Sequence, residues 1–159
     1  MTFKEHNMFN FSELKDHITK AAGGAEKLRA VGDILQYAVP WGALMAIAFA
    51  GLPLAGKWLT VVIATMVITH LMKMLFNHTS LGTRPNGGED SFPSGHTSSA
   101  FAGAWVFAAV FGWMWAAVPL ALAFLTGLSR VVSKNHHWRD VIAGAAVAGF
   151  VTHYVFTYM

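Results

Sequence analysis

Thirty-three consecutive residues, Thr97 to Ser129, contain no Asp, Glu, Lys or Arg. As a single helix the run would be about 50 Å long, too much for one crossing of a hydrocarbon core of roughly 30 Å. It suits two helices joined by a tight turn. Gly112-Trp113-Met114-Trp115 and then Pro119 supply that turn, with tryptophans at headgroup depth and a proline opening the next helix. Three further stretches are uncharged: Ile34–Gly56, Trp58–Met72 and Val141–Met159. Spans are expected near 34–55, 57–77, 95–114, 117–134 and 139–158. The fold class is all-α, a polytopic transmembrane helix bundle of about five spans.

Composition points the same way. Hydrophobic residues make up 55% of the 159 and charged residues 12%, about half of the roughly 25% usual in soluble domains. So few charges leave too little polar surface for a small soluble globule. The length fits a single membrane domain, 1–159. The absence of cysteine excludes disulfides, thiolate nucleophiles and sulfur-ligated metals. A net charge of +3 without a basic run argues against nucleic acid as a partner and for a few placed cations.

Residues 1–33 form a separate, surface segment before the transmembrane core of 34–158. Phe9, Phe11, Leu14, Ile18, Ala21 and Ala22 recur among Lys15, Asp16 and Lys20, and Gly23-Gly24 interrupts them. The spacing predicts an amphipathic helix on the membrane surface, with a polar tail as the alternative. No clean apolar stretch follows the basic residues, which argues against a cleaved signal peptide. Within the third span, Ala100, Ala104, Ala108 and Gly112 form a small-residue stripe for close helix packing.

Polar groups beside spans are costly, so their clustering carries the functional signal. They gather in Lys73 to His96 and in Arg130 to Asp140, and five spans put both segments on one membrane face. That face collects Lys73, Arg84, His96, Arg130, His136 and Asp140: a cationic cup suited to an oxyanion such as phosphate. Ser94 is placed to cap the third span, and Gly95 lets a ligand approach the free N–H groups of the helix start. His96 stands in its first turn. His136 and Asp140 are four apart, so the carboxylate can hold one imidazole nitrogen and leave the other free to attack. An ordinary capped helix start with Asp140 in its first turn reads equally well from that pair alone.

Arg84-Pro85, Pro93-Ser94-Gly95-His96, and Ser129-Arg130 followed by His136 and Asp140 together resemble the signature of the type 2 phosphatidic acid phosphatase superfamily, over roughly residues 57–158. The first block departs from the pattern. Where the family has a lysine seven positions before the arginine, this chain has Asn77, and Lys73 lies one helical turn earlier. Lys73 is expected to keep the lysine's role across an insertion near His78 to Leu81; the alternative is that it only snorkels.

The resemblance implies an integral-membrane lipid phosphatase that is metal-independent, needs no cofactor and works through a phosphohistidine. By that likeness His136 attacks phosphorus, Asp140 holds it, and His96 protonates the leaving oxygen and then activates water. Lys73, Arg84, Arg130, Ser94 and the Gly95 N–H hold the non-bridging oxygens. The implied partners are the bilayer and a lipid phosphate: undecaprenyl pyrophosphate, phosphatidylglycerol phosphate, phosphatidic acid or a lipid A phosphate. A lipid phosphotransferase and a non-catalytic membrane binding protein remain open; the soluble, larger vanadate haloperoxidases fit less well. Ten of the eleven Lys/Arg residues lie on the site's side, which the positive-inside rule makes cytoplasmic. Phosphate-binding cations are poor topology markers, however, and the bacterial likeness favours the periplasmic face of the inner membrane. His70 is expected to hydrogen-bond a facing helix, His153 to make an internal polar contact, Glu89 and Asp90 to face water, and His137 to have no role. For His78 a contact with substrate is left open.

Overall fold

The computed structural model describes residues 10–21 and 23–159, all helix and connecting turns. Six helices follow in order: α1 Phe11–Ala21, α2 Ala25–Phe49, α3 Ala55–Phe76, α4 Gly95–Phe111, α5 Trp113–Val132 and α6 Trp138–Tyr158. Four of them, α2, α3, α5 and α6, are long and apolar enough to cross a membrane. At 17 residues, α4 reaches only about 26 Å.

α4 is the centre of the bundle and packs against α2, α3, α5 and α6. Its small-residue stripe makes this possible: Ala100 and Ala104 are fully buried and Ala108 nearly so. One apolar core joins Ala43 and Ile47 of α2, Val61 of α3, Val106 of α4, and Ala148 and Val151 of α6. A polar bond pins α2 to the centre. Pro40 lies inside α2 and offers no N–H to the carbonyl one turn earlier, and that carbonyl, on Gln36, accepts the Ser99 hydroxyl of α4 at 2.6 Å.

The turn between α4 and α5 is tighter than expected. Gly112 alone makes it, at φ +87°, a conformation that costs a glycine little. Pro119 therefore lies inside α5 rather than at its start. Trp113, Met114 and Trp115 are strongly exposed there, as a headgroup belt requires.

α2 begins at Ala25 and not near Ile34, because charged residues that leave the hydrocarbon do not thereby leave the helix. Its first turns bury Leu28 and Gly32 and stand over the mouth of the bundle. α1 is amphipathic: Leu14 and Ile18 are half-buried and Asp16, His17 and Lys20 exposed. Its Phe11 ring meets Trp138 edge-on at 5.1 Å. Phe9 and Ala22, which also entered that expectation, lie outside the described residues.

Candidate active site

The C-terminal end of α3, the 77–94 loop, the start of α4, the α5–α6 turn and the start of α2 converge on one end of the bundle. Between them is a cavity of about 360 Å³ lined by Lys73, Arg84, Gly95, His96, Arg130 and His136. Six of the eight residues expected at the site thus share one space. Asp140 stands behind His136, fully buried. Ser94 does not line the cavity: its hydroxyl accepts the Thr97 hydroxyl at 2.9 Å. Nor does its side chain cap α4.

Lys73 comes from the last turn of α3, and its ammonium donates to the backbone carbonyl of Asp90. The chain after it explains how a shifted lysine still faces the cavity. The Thr79 N–H bonds the Phe76 carbonyl and the Gly82 N–H bonds the Thr79 carbonyl, so residues 78–81 form a protruding double turn. A Cβ on Gly82 would lie 2.2 Å from the Asn77 carbonyl oxygen, so only glycine permits the return. Asn77 is absent from the cavity lining and uses its side-chain oxygen to accept the Asp90 N–H at 2.9 Å. Arg84 follows in a turn closed by its own N–H on the Gly88 carbonyl at 2.8 Å, and its Nε is buried without a partner.

Asp140 opens α6 and receives the His137 N–H at 2.8 Å and the Ser91 hydroxyl on the same oxygen, Oδ2. His136 Nδ1 stands 3.6 Å from that oxygen, an ion-pair distance and not a hydrogen bond. His136 is 4% exposed. Burial, reinforced by the charges of Lys73 and Arg84 and opposed by Asp140, holds its imidazole below the ordinary histidine value. It is therefore neutral near pH 7, with a lone pair available for attack.

Arg130 is 2% exposed and reaches α2. Its NH1 donates to Asp33 Oδ1 at 2.7 Å, its NH2 to the Arg29 carbonyl at 2.6 Å, and its Nε to the Ser129 hydroxyl at 3.0 Å. His96 Nε2 meets the same Asp33 oxygen at 3.0 Å. Asp33, Arg29 and Asn135 complete the cavity lining, and Ser91 supports Asp140; the sequence reading named none of these. Asp33 did carry a signal, as the last charge before a span that leaves the cup's own face.

Other expectations fail or hold on exposure. His70 and His153 are exposed on α3 and α6, and among the described residues neither side chain makes a hydrogen bond to a facing helix. His153 borders an apolar groove of about 400 Å³ with Trp105, Trp113 and Gly149. Glu89 and Asp90 are exposed, as expected, and His78, in the protruding turn, is exposed and is not among the residues that line the cavity. Among the described residues, no group of three His, Cys, Asp or Glu side chains is placed to hold a metal ion.

A family model for the PAP2 superfamily matches residues 54–159. A lipid A 1-phosphatase of Porphyromonas gingivalis is 42% identical over 69 residues, covering 40% of this chain and 15% of that protein. A probable lipid phosphate phosphatase 4 of Arabidopsis thaliana is 40% identical over 78 residues, covering 40% of this chain and 25% of that protein. The chain thus spans a quarter or less of the length of these relatives. A crystal structure of Aquifex aeolicus LpxE shares the fold at a TM-score of 0.66, with 22% identity, over 99% of this chain and 100% of that one.

Proposed function

Because the chain belongs to the PAP2 superfamily, we propose that it is an integral-membrane phosphatase acting on a phosphomonoester or pyrophosphate of a membrane lipid. The observation that carries this reading is a buried, neutral His136 facing a cavity with Lys73, Arg84, Arg130 and the start of α4 around it. Phosphoryl transfer is mostly positioning and charge stabilisation, so fixed cations and N–H donors suffice to cradle the equatorial oxygens. No metal enters the scheme. A His136 nitrogen forms the N–P bond as the bond to the lipid oxygen breaks, and His96 gives that oxygen a proton. Water then attacks phosphorus, His96 takes its proton, the N–P bond breaks and phosphate leaves.

In this reading α4 is the fifth span, short because it is sheathed by the other four. The cavity opens at the headgroup level of the inner membrane, on the periplasmic face, where a lipid presents its phosphate while its chains stay in the bilayer. Relatives described as a lipid A 1-phosphatase and a lipid phosphate phosphatase support a lipid phosphate as substrate.

The test is phosphate release by the purified protein from undecaprenyl pyrophosphate, phosphatidylglycerol phosphate, phosphatidic acid and lipid A. Release from at least one is expected. Transfer of phosphate to a second lipid without release would favour a phosphotransferase, and no turnover on any would overturn the reading.

A further inference from the structure

Asp33 lies outside the stretch that matches the family. Its position is nonetheless closely fixed. Its neighbour Gly32 lies against α5 so tightly that a Cβ there would be 1.9 Å from the Ser129 hydroxyl oxygen. This contact lets the carboxylate reach into the cavity, where one oxygen takes both the Arg130 NH1 at 2.7 Å and the His96 Nε2 at 3.0 Å.

An imidazole nitrogen facing a carboxylate oxygen at that distance must carry a proton, because the carboxylate can only accept. Nε2 of His96 is thereby committed. Nδ1 has no protein hydrogen-bond partner among the described residues, and it is the nitrogen left to exchange protons with a ligand. Arg130 is committed in the same way, with NH1 on Asp33 and NH2 on the Arg29 carbonyl. A single carboxylate oxygen therefore sets both the proton donor and one of the oxyanion-holding cations.

We propose that Asp33 is a positioning residue that fixes the orientation and tautomer of His96 and seats Arg130 through the same oxygen. This rests on the phosphatase reading above. His96 enters the first step as the imidazolium, Nε2–H held by Asp33; as the N–P bond to His136 forms and the P–O bond to the lipid breaks, it passes its Nδ1 proton to the departing oxygen and is left as the neutral Nε2–H tautomer. As water attacks phosphorus, its proton goes to Nδ1, the N–P bond breaks and phosphate is released. The site then holds two His–Asp pairs: Asp140 behind the nucleophile, and Asp33 behind the acid and base.

The test uses the full chain in detergent, comparing wild type, Asp33→Asn and Asp33→Ala on the best lipid substrate and on 4-nitrophenyl phosphate. The expected loss in kcat on the lipid is about 10- to 1000-fold, a large share of what general acid–base catalysis supplies, with KM little changed. Formation of the phosphoenzyme from 4-nitrophenyl phosphate should suffer much less, since nitrophenolate leaves without a proton. The phosphoenzyme should then accumulate, because its hydrolysis still needs the base. A lower KM and tighter vanadate inhibition with kcat intact would overturn the proposal and make Asp33 a competitor for phosphate. Unchanged kinetics with only a lower Tm, or phosphoenzyme formation slowed equally from both substrates, would also overturn it. Wild-type protein that releases no phosphate from any substrate would instead remove the phosphatase reading itself.

Discussion

Nδ1 of His136 and Oδ2 of Asp140 stand 3.6 Å apart, and that nitrogen has no hydrogen-bond partner although it is buried. The carboxylate oxygen is held by Ser91 and the His137 N–H, so the imidazole must move toward it and not the reverse. Catalytic hydrogen bonds are often long before substrate binds and tighten in the complex. Asp140→Asn keeps the acceptor for both donors but removes the charge that stabilises His136 as it becomes positive. It is expected to lower turnover at least ~100-fold with Tm nearly unchanged. His136→Ala should abolish phosphoenzyme trapped by an alkaline quench, in which an N–P bond survives. Phosphoenzyme at wild-type levels in His136→Ala would show that the nucleophile lies elsewhere.

The shifted lysine gives a second prediction. Lys73 lines the cavity and Asn77 does not. Lys73→Ala should cost roughly 2–4 kcal/mol of transition-state stabilisation, about 30- to 1000-fold in rate, whereas Asn77→Ala should cost little. Near-normal turnover of Lys73→Ala, with a gain in Asn77→Lys, would mean that Lys73 only snorkels. Each variant is to be checked for folding in detergent by size-exclusion chromatography.

Metal dependence is a third measurement. The proposed oxygen-binding charge comes from Lys73, Arg84 and Arg130. Full activity in excess chelator is expected, as is inhibition by vanadate, which takes up the trigonal-bipyramidal shape of the transition state. Activity abolished by chelator and restored by magnesium would remove this part of the mechanism.

The fourth concerns pH. Burial depresses the His136 value below the usual one of about 6.5, so the neutral, nucleophilic form persists as pH falls through 6.5. It is lost only below the depressed value. By linkage, protonating this buried group favours the unfolded chain, so its contribution to stability is present above the ordinary value and is lost as pH falls through that window. A histidine NMR titration of wild type against His136→Asn should give a midpoint below 6.5. A midpoint at or above 6.5 would contradict the burial argument.

The bundle and most of the cup were legible in the sequence because lipid imposes simple constraints. Uncharged runs must be helices, and the charges that interrupt them must sit at an edge, which placed Lys73, His96, Arg130 and His136 on one face. Distances along the chain could not reveal what α2 brings. Asp33 is 97 residues from Arg130 and 63 from His96, and their meeting depends on the contact of Gly32 with Ser129. The side-chain cap expected of Ser94 is absent for the opposite reason. Its position at the helix start suits a cap, but close packing turns its hydroxyl toward Thr97 and the cavity is left to Gly95.

The double turn at residues 78–81 offers a practical handle. It projects from the cavity's own end of the bundle, its Ser80 side chain is exposed, and only the Ser80 backbone carbonyl is engaged, by Arg139 at 2.9 Å. The chain has no cysteine, so Ser80→Cys introduces a sole thiol on the same face as the proposed catalytic residues. Labelling intact cells with a membrane-impermeant maleimide would then read out the compartment into which the cavity opens, without disturbing a single side chain that lines it.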